Sequence, residues 1–160
     1  MAKKIDKPIR LYVMTIFIVI AYCLLPLTSV FPFTGGFLLV GPRFLPFNGS
    51  FQVLYDAQGD ASQFLVVVTV SLCLLVAGAA IVTFLGIKEA RLITLILVTI
   101  DVAWWVYLII SAVIGSESNS SALQFGLELL FPFPWLVFVW WNMTKPDIKA
   151  WLDYQSEQDI

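Results

Sequence analysis

Asp101 and Glu128 are the acids of this 160-residue chain that stand inside long apolar runs. An ionisable side chain in such a setting is a candidate proton, cation or ligand site. Hydrocarbon surroundings favour the neutral acid unless a cation, a water or a hydrogen-bond donor accompanies it, and no Lys, Arg or His shares those runs. By helical spacing the donors nearest Asp101 are Thr94 at i−7 and Trp105 at i+4, with Trp104 at i+3 beside them. Helical side chains lean toward their own N-terminus, which predicts the Trp105 indole over the carboxyl. The alternative for Asp101 is a structural hydrogen bond to a neighbouring helix.

Glu128 shares a helical face with Gln124 at i−4 and Trp135 at i+7. Pro132 and Pro134 offer no N–H to the carbonyls of Glu128 and Leu130, which predicts a kink with two loose acceptors beside a carboxylate. Such a group suits a proton or a small cation; as a shape-setting kink alone, it would leave Gln124 and Glu128 lining a wet vestibule. On antiparallel neighbouring helices the two acids would differ in height by about 7 Å, and the lean of each side chain widens that gap. A dyad sharing one proton is therefore not expected, whereas a water-bridged relay along one polar seam is compatible with the spacing.

Other chemistry is scarce. The chain has no histidine, which removes His-ligated haem, His-containing zinc sites and every scheme that needs imidazole. Cys23 and Cys73 lie in different apolar runs without C-x-x-C spacing and are expected to be buried small side chains. No phosphate-binding glycine loop, nucleophile elbow or internal repeat is present. The sequence thus predicts neither an enzyme nor a cofactor. A net charge of -2, from 9 basic and 11 acidic residues, argues against nucleic acid as a partner.

The elements that must position these residues follow from hydropathy. With 60% hydrophobic and 12% charged residues the chain is too apolar for a soluble domain. A hydrocarbon core about 30 Å thick needs about 20 apolar residues in a helix, and four segments qualify: 9–30, 64–87, 92–114 and 122–141. Lys88-Glu89-Ala90-Arg91 is read as the tight connection between the middle pair, and a short link joins the last pair. The predicted architecture is an all-α membrane protein, an up-down bundle of four transmembrane helices within a single domain. Lys3, Lys4, Lys7, Arg10, Lys88, Arg91, Lys145 and Lys149 fall on one side and Arg43 on the other, so both termini are predicted to be cytoplasmic. The first span is too long for a signal-peptide core and is read as an uncleaved anchor.

The connection 31–63 is expected on the outer side. Its apolar runs flank Asn48-Gly49, which predicts a small β-hairpin with Pro46 at an edge. Phe44, Phe47, Phe51 and Tyr55 give that hairpin an apolar face for packing on its own helices or on a partner. Asn48-Gly49-Ser50 and Asn119-Ser120-Ser121 match the glycosylation pattern, a common chance match. Ala77-Gly78-Ala79-Ala80 forms a small-residue patch that allows close helix approach, within the chain or from a partner. Trp140 and Trp141 suit a headgroup belt. In the tail 142–160, Thr144 as cap and Asp147 three residues on predict a short amphipathic helix on the cytoplasmic surface, with Ile148, Trp151 and Leu152 on one face.

The closing run, Pro134-Trp135 through Lys145-Pro146-Asp147-Ile148-Lys149, resembles the ending of several small bacterial inner-membrane families. That resemblance implies an inner-membrane location and no activity. Two functions are compatible with the sequence. One is a non-enzymatic accessory or scaffold subunit docking on other membrane protein chains through its aromatic surfaces and small-residue patch. The other is a small proton-coupled carrier, or a binder of a lipophilic or cationic small molecule, built on Asp101, Glu128 and the Trp104, Trp105 and Trp135 indoles.

Overall fold

The computed structural model of the chain describes residues 6–24, 63–115, 127 and 129–158. Every regular element among them is helical. These are α1 (Ile9–Val19), which continues into a π-helical segment (Ile20–Leu24), then α2 (Gln63–Phe84), α3 (Lys88–Gly115), α4 (Pro132–Met143) and α5 (Pro146–Gln158). The outer hairpin with Phe44, Phe47, Phe51 and Tyr55, and the candidate residues Gln124 and Glu128, lie outside the described residues.

Two helices, α2 and α3, are long and apolar enough to cross a membrane. At 22 and 28 residues they measure about 33 and 42 Å, against a hydrocarbon core of about 30 Å. Neither contains an internal proline, and α2 carries apolar side chains on all sides. Val76, Ala77 and Ala80 of α2 are buried while Leu74, Leu75 and Ile81 are exposed. The same division holds on α3, where Val98, Val102 and Ile109 face inward and Ile96, Ile100 and Ile110 outward. Helix α1 packs on α2, α2 on α3, α3 on α4, and α4 returns to α1, so these four enclose one core.

The α2–α3 connection is shorter than the sequence suggested. Gly86 takes φ +106°, its N–H bonds the carbonyl of Thr83, and the N–H of Ile87 bonds that of Val82. This is a Schellman ending, with glycine at the left-handed position that side chains resist. The Lys88-Glu89-Ala90-Arg91 run expected to form the connection is instead the first turn of α3, where Glu89 stands at the positive end of the helix.

Helix α4 corrects a second expectation. It begins at Pro132, with Phe131 at the cap position and turn residues 129–131 before it. The two prolines of the Phe131-Pro132-Phe133-Pro134 run stand in the first turn of α4, where proline sacrifices only N–H groups that lack helical acceptors anyway. Its far end corrects a third. Thr144 does not cap α5; its hydroxyl donates to the Trp140 carbonyl and closes α4.

The tail helix exists as predicted, but its apolar face does not lie free on a membrane surface. Ile148, Trp151 and Leu152 are buried in the same core as Leu11, Met14 and Met143, so α5 closes the end of the bundle marked by the α2–α3 turn. Polar contacts fix it there. Lys88 pairs with Asp153, and the ammonium of Lys7 donates to the Phe84 carbonyl at 2.8 Å. The same ammonium lies 3.7 Å from the Phe84 ring centre and 4.9 Å from that of Trp151. A single cation thus ties the entry of α1 to the last turn of α2 and to α5, at the helix end where the dipole favours positive charge. Desolvation draws that ammonium below the usual lysine range.

Candidate functional site

Asp101 lies near the middle of α3, about 20 Å along the helix from Lys88, and is fully buried. Its partner comes from another helix. The Tyr22 hydroxyl donates to Oδ2 at 2.9 Å, and Trp135 Nε1 donates to the same hydroxyl at 2.9 Å. The chain therefore runs from Trp135 on α4 through Tyr22 at the end of α1 to Asp101 on α3. Cys73 of α2, also fully buried, lies within electrostatic reach of the carboxyl, so all four core helices contribute to its surroundings. Tyr22 belongs to the π-helical segment. Widening of the last turns of α1 changes the angle at which this residue leaves the helix, a device that recurs at functional positions.

The oxygen Oδ1 of Asp101 has no hydrogen-bond partner, and neither has Nε1 of Trp105, which is equally buried. Both atoms are buried. Trp105 is surrounded by Leu108, Ile109 and Ala112 in a second apolar cluster.

The other predicted residues go elsewhere. Thr94 does not reach Asp101: its hydroxyl donates to the Ala90 carbonyl at 2.8 Å and meets Thr83 Oγ1 of α2 at 3.1 Å. Trp104 turns outward from the acid and donates to Thr69 of α2 at 3.0 Å, with its ring stacked on Tyr107. Trp135 does join the site, through Tyr22. Ala77 and Ala80 are buried in the chain's own core, while Gly78 and Ala79 are half-buried and a side chain at Gly78 would meet open space.

Tyr22, Cys73, Thr69 and Thr99 were missed from sequence. Thr99 accepts from Trp140 Nε1 at 3.1 Å, so α3 sends at least one polar bond to each of α1, α2 and α4. The available signal was a polar tip in an apolar run: a buried tyrosine hydroxyl or indole N–H requires a partner.

Two shallow grooves lie on the outer faces. One of about 360 Å³ runs between α2 and α3 past Val67, Ser71, Leu75, Ile100 and Trp104. Another of about 240 Å³ is lined by Phe131, Pro134, Trp135 and Phe138 of α4. Both are apolar, and Asp101 lines neither. No group of His, Cys, Asp and Glu that could hold a metal occurs among the described residues.

The class these features define is an all-helical protein with two membrane-length apolar helices and a sealed polar centre. No family model, curated protein or solved structure matches the chain.

Proposed function

We propose that the chain is a multi-pass integral membrane protein, with four spans and both termini cytoplasmic, that serves as a non-enzymatic accessory or scaffold subunit of a larger membrane assembly. The observation that carries this reading is the division of its side chains. Four polar contacts join its own helices: Tyr22–Asp101, Trp135–Tyr22, Trp104–Thr69 and Thr83–Thr94. Large apolar side chains such as Phe64, Val67, Leu92, Ile114 and Val137 face outward on α2, α3 and α4. A surface of this kind offers shape and dispersion contacts to lipid and to neighbouring helices but no reactive group. The α2–α3 groove, with Gly78 further along the same helix, is the docking face this reading favours, and the inner membrane of a bacterium is the location it favours.

The test is the size and composition of the particle extracted in mild detergent. The native chain should leave the membrane together with other membrane chains, and Ser71→Trp, which fills the groove, should release it. Val137→Trp, on α4, should not. Recovery of the native chain only as a monomer would refute the reading.

One observation favours a second reading, the proton-coupled carrier or cationic-ligand binder: the buried, unpartnered Oδ1 of Asp101. An acid held so is a costly choice for a helix lock alone. On this reading Asp101→Asn abolishes proton-dependent uptake in liposomes while the protein still folds, and unchanged uptake removes it.

A further inference from the structure

We propose that Asp101 Oδ1 and the indole N–H of Trp105 hold one buried water molecule between them. The two atoms form a matched pair. One is an acceptor and the other a donor, both belong to fully buried residues, and neither has a partner within the protein. They stand at i and i+4 on α3, where Cβ atoms are separated by about 5–6 Å and the later side chain leans over the earlier one. A direct bond is not made, and a single water spans such a gap while bonding to both. Left dry, each group bears its full desolvation penalty, and buried waters are found where polar groups of this kind are otherwise unsatisfied.

The chemistry of the pair selects the ligand. A metal or ammonium ion would need several acceptors and would be repelled by an N–H directed at it. Here the pair offers one carboxyl oxygen and one indole donor, with Tyr22 already committed to Oδ2 and no second acid in reach among the described residues. Cys73 from α2 contributes a small side chain and a weak donor to the same centre. Water, which both donates and accepts, fits whether the carboxyl is ionised or neutral. The hydrogen-bond chain then runs unbroken from Trp135 through Tyr22, Asp101 and the water to Trp105. This inference goes beyond both functional readings, because the bonding requires the water whether the protein carries protons or only docks. In a carrier, the same water is where a proton would step onto Asp101.

The test uses the full chain in lipid nanodiscs with 15N-indole tryptophan. The sequence has six tryptophans, and Trp105→Phe identifies the Trp105 signal by its loss. The expected result is magnetisation transfer between water and the Trp105 indole proton despite complete burial, abolished in Asp101→Leu. No transfer in the native protein overturns the proposal, and so does transfer that persists in Asp101→Leu. A sodium titration that shifts the Trp105 signal and removes the transfer overturns it in favour of a cation. Should Asp101→Leu fail to fold, the native measurement decides alone.

Discussion

Tyr22→Phe removes one oxygen atom and leaves the ring that packs in the core, so its effect isolates the polar chain. The hydroxyl donates to Asp101 Oδ2 and accepts from Trp135 Nε1, each at 2.9 Å. Its loss strands two buried atoms, and in a soluble core each would cost about 1–3 kcal/mol. Between helices in a membrane the measured worth of such bonds averages about 0.6 and reaches about 1.7 kcal/mol, because the separated helices also find partners. Two bonds on that scale give a loss of about 1–3 kcal/mol. Reversible unfolding in mixed micelles, followed by helical signal across a denaturing-detergent titration, measures it. In a cycle with Asp101→Leu, the double variant should lose less than the sum of the singles, since a leucine leaves no carboxyl to strand. A loss under about 0.5 kcal/mol, or strict additivity with Asp101→Leu, would refute the claim that this chain of bonds holds α1, α3 and α4 together.

Lys7→Met keeps the apolar stem and deletes the cation held over Phe84 and Trp151; the expected cost is about 1 kcal/mol, seen as faster amide exchange in α5 with the middle of α3 unchanged. The Lys88–Asp153 pair makes α5 docking sensitive to acid and salt. The Lys88 ammonium beside Asp153 holds its carboxyl below the ordinary value of 3.8. The contribution is therefore complete above that ordinary value and is lost as pH falls through the lower folded one. Trp151 emission should shift in that acid range and with added salt, and Lys88→Gln should show neither response. Gly86→Ala forces a side chain onto φ +106° and should cost about 1–3 kcal/mol through the backbone alone, since the new Cβ would meet Gln155 and Trp151 only at ordinary contact distances of 3.4–3.5 Å. Calorimetric or detergent unfolding of that variant gives the value, and a neutral result would mean that the turn relaxes to another form.

The long helices were legible because hydropathy over about 20 residues is a strong signal, and the sequence expectation for α2 differs from the observed helix by a few residues at either end. The turn between them was misplaced because charge drew the eye to Lys88-Glu89-Ala90-Arg91, while the stop was carried by the single Gly86. At Pro132, two prolines in an apolar run suggest a kinked span, whereas the structure places them in the first turn of α4. The face of α5 was read correctly from Ile148, Trp151 and Leu152, but periodicity says which side is apolar and not what covers it. The site was half legible for the same reason. Asp101 stood out as an acid in hydrocarbon, and its local neighbours Thr94 and Trp105 were the donors that spacing alone can supply. The donor that bonds it, Tyr22, is 79 residues away and is aimed by a π-helical turn that no residue pattern announced.

On the proposed membrane-spanning reading, the polar contacts of α3 define how such a chain keeps one packing without a hydrophobic force between its helices. Lipid tails satisfy an apolar face as well as another helix does, so dispersion alone would tolerate sliding and rotation. Thr94 fixes α3 against α2, Thr99 against α4, Asp101 against α1, and Trp104 again against α2. These four lie within about 15 Å of helix and reach three different neighbours, so a rotation that keeps one bond breaks others. Toward the α2–α3 turn the fixing changes character, to the Lys7 and Lys88 contacts that hold α5 where water can reach charge. Lys88 can shed its pair at low pH and in salt, whereas the buried bonds are shielded from salt. Any movement that added salt sets off should therefore begin at α5 and leave the Asp101 centre intact.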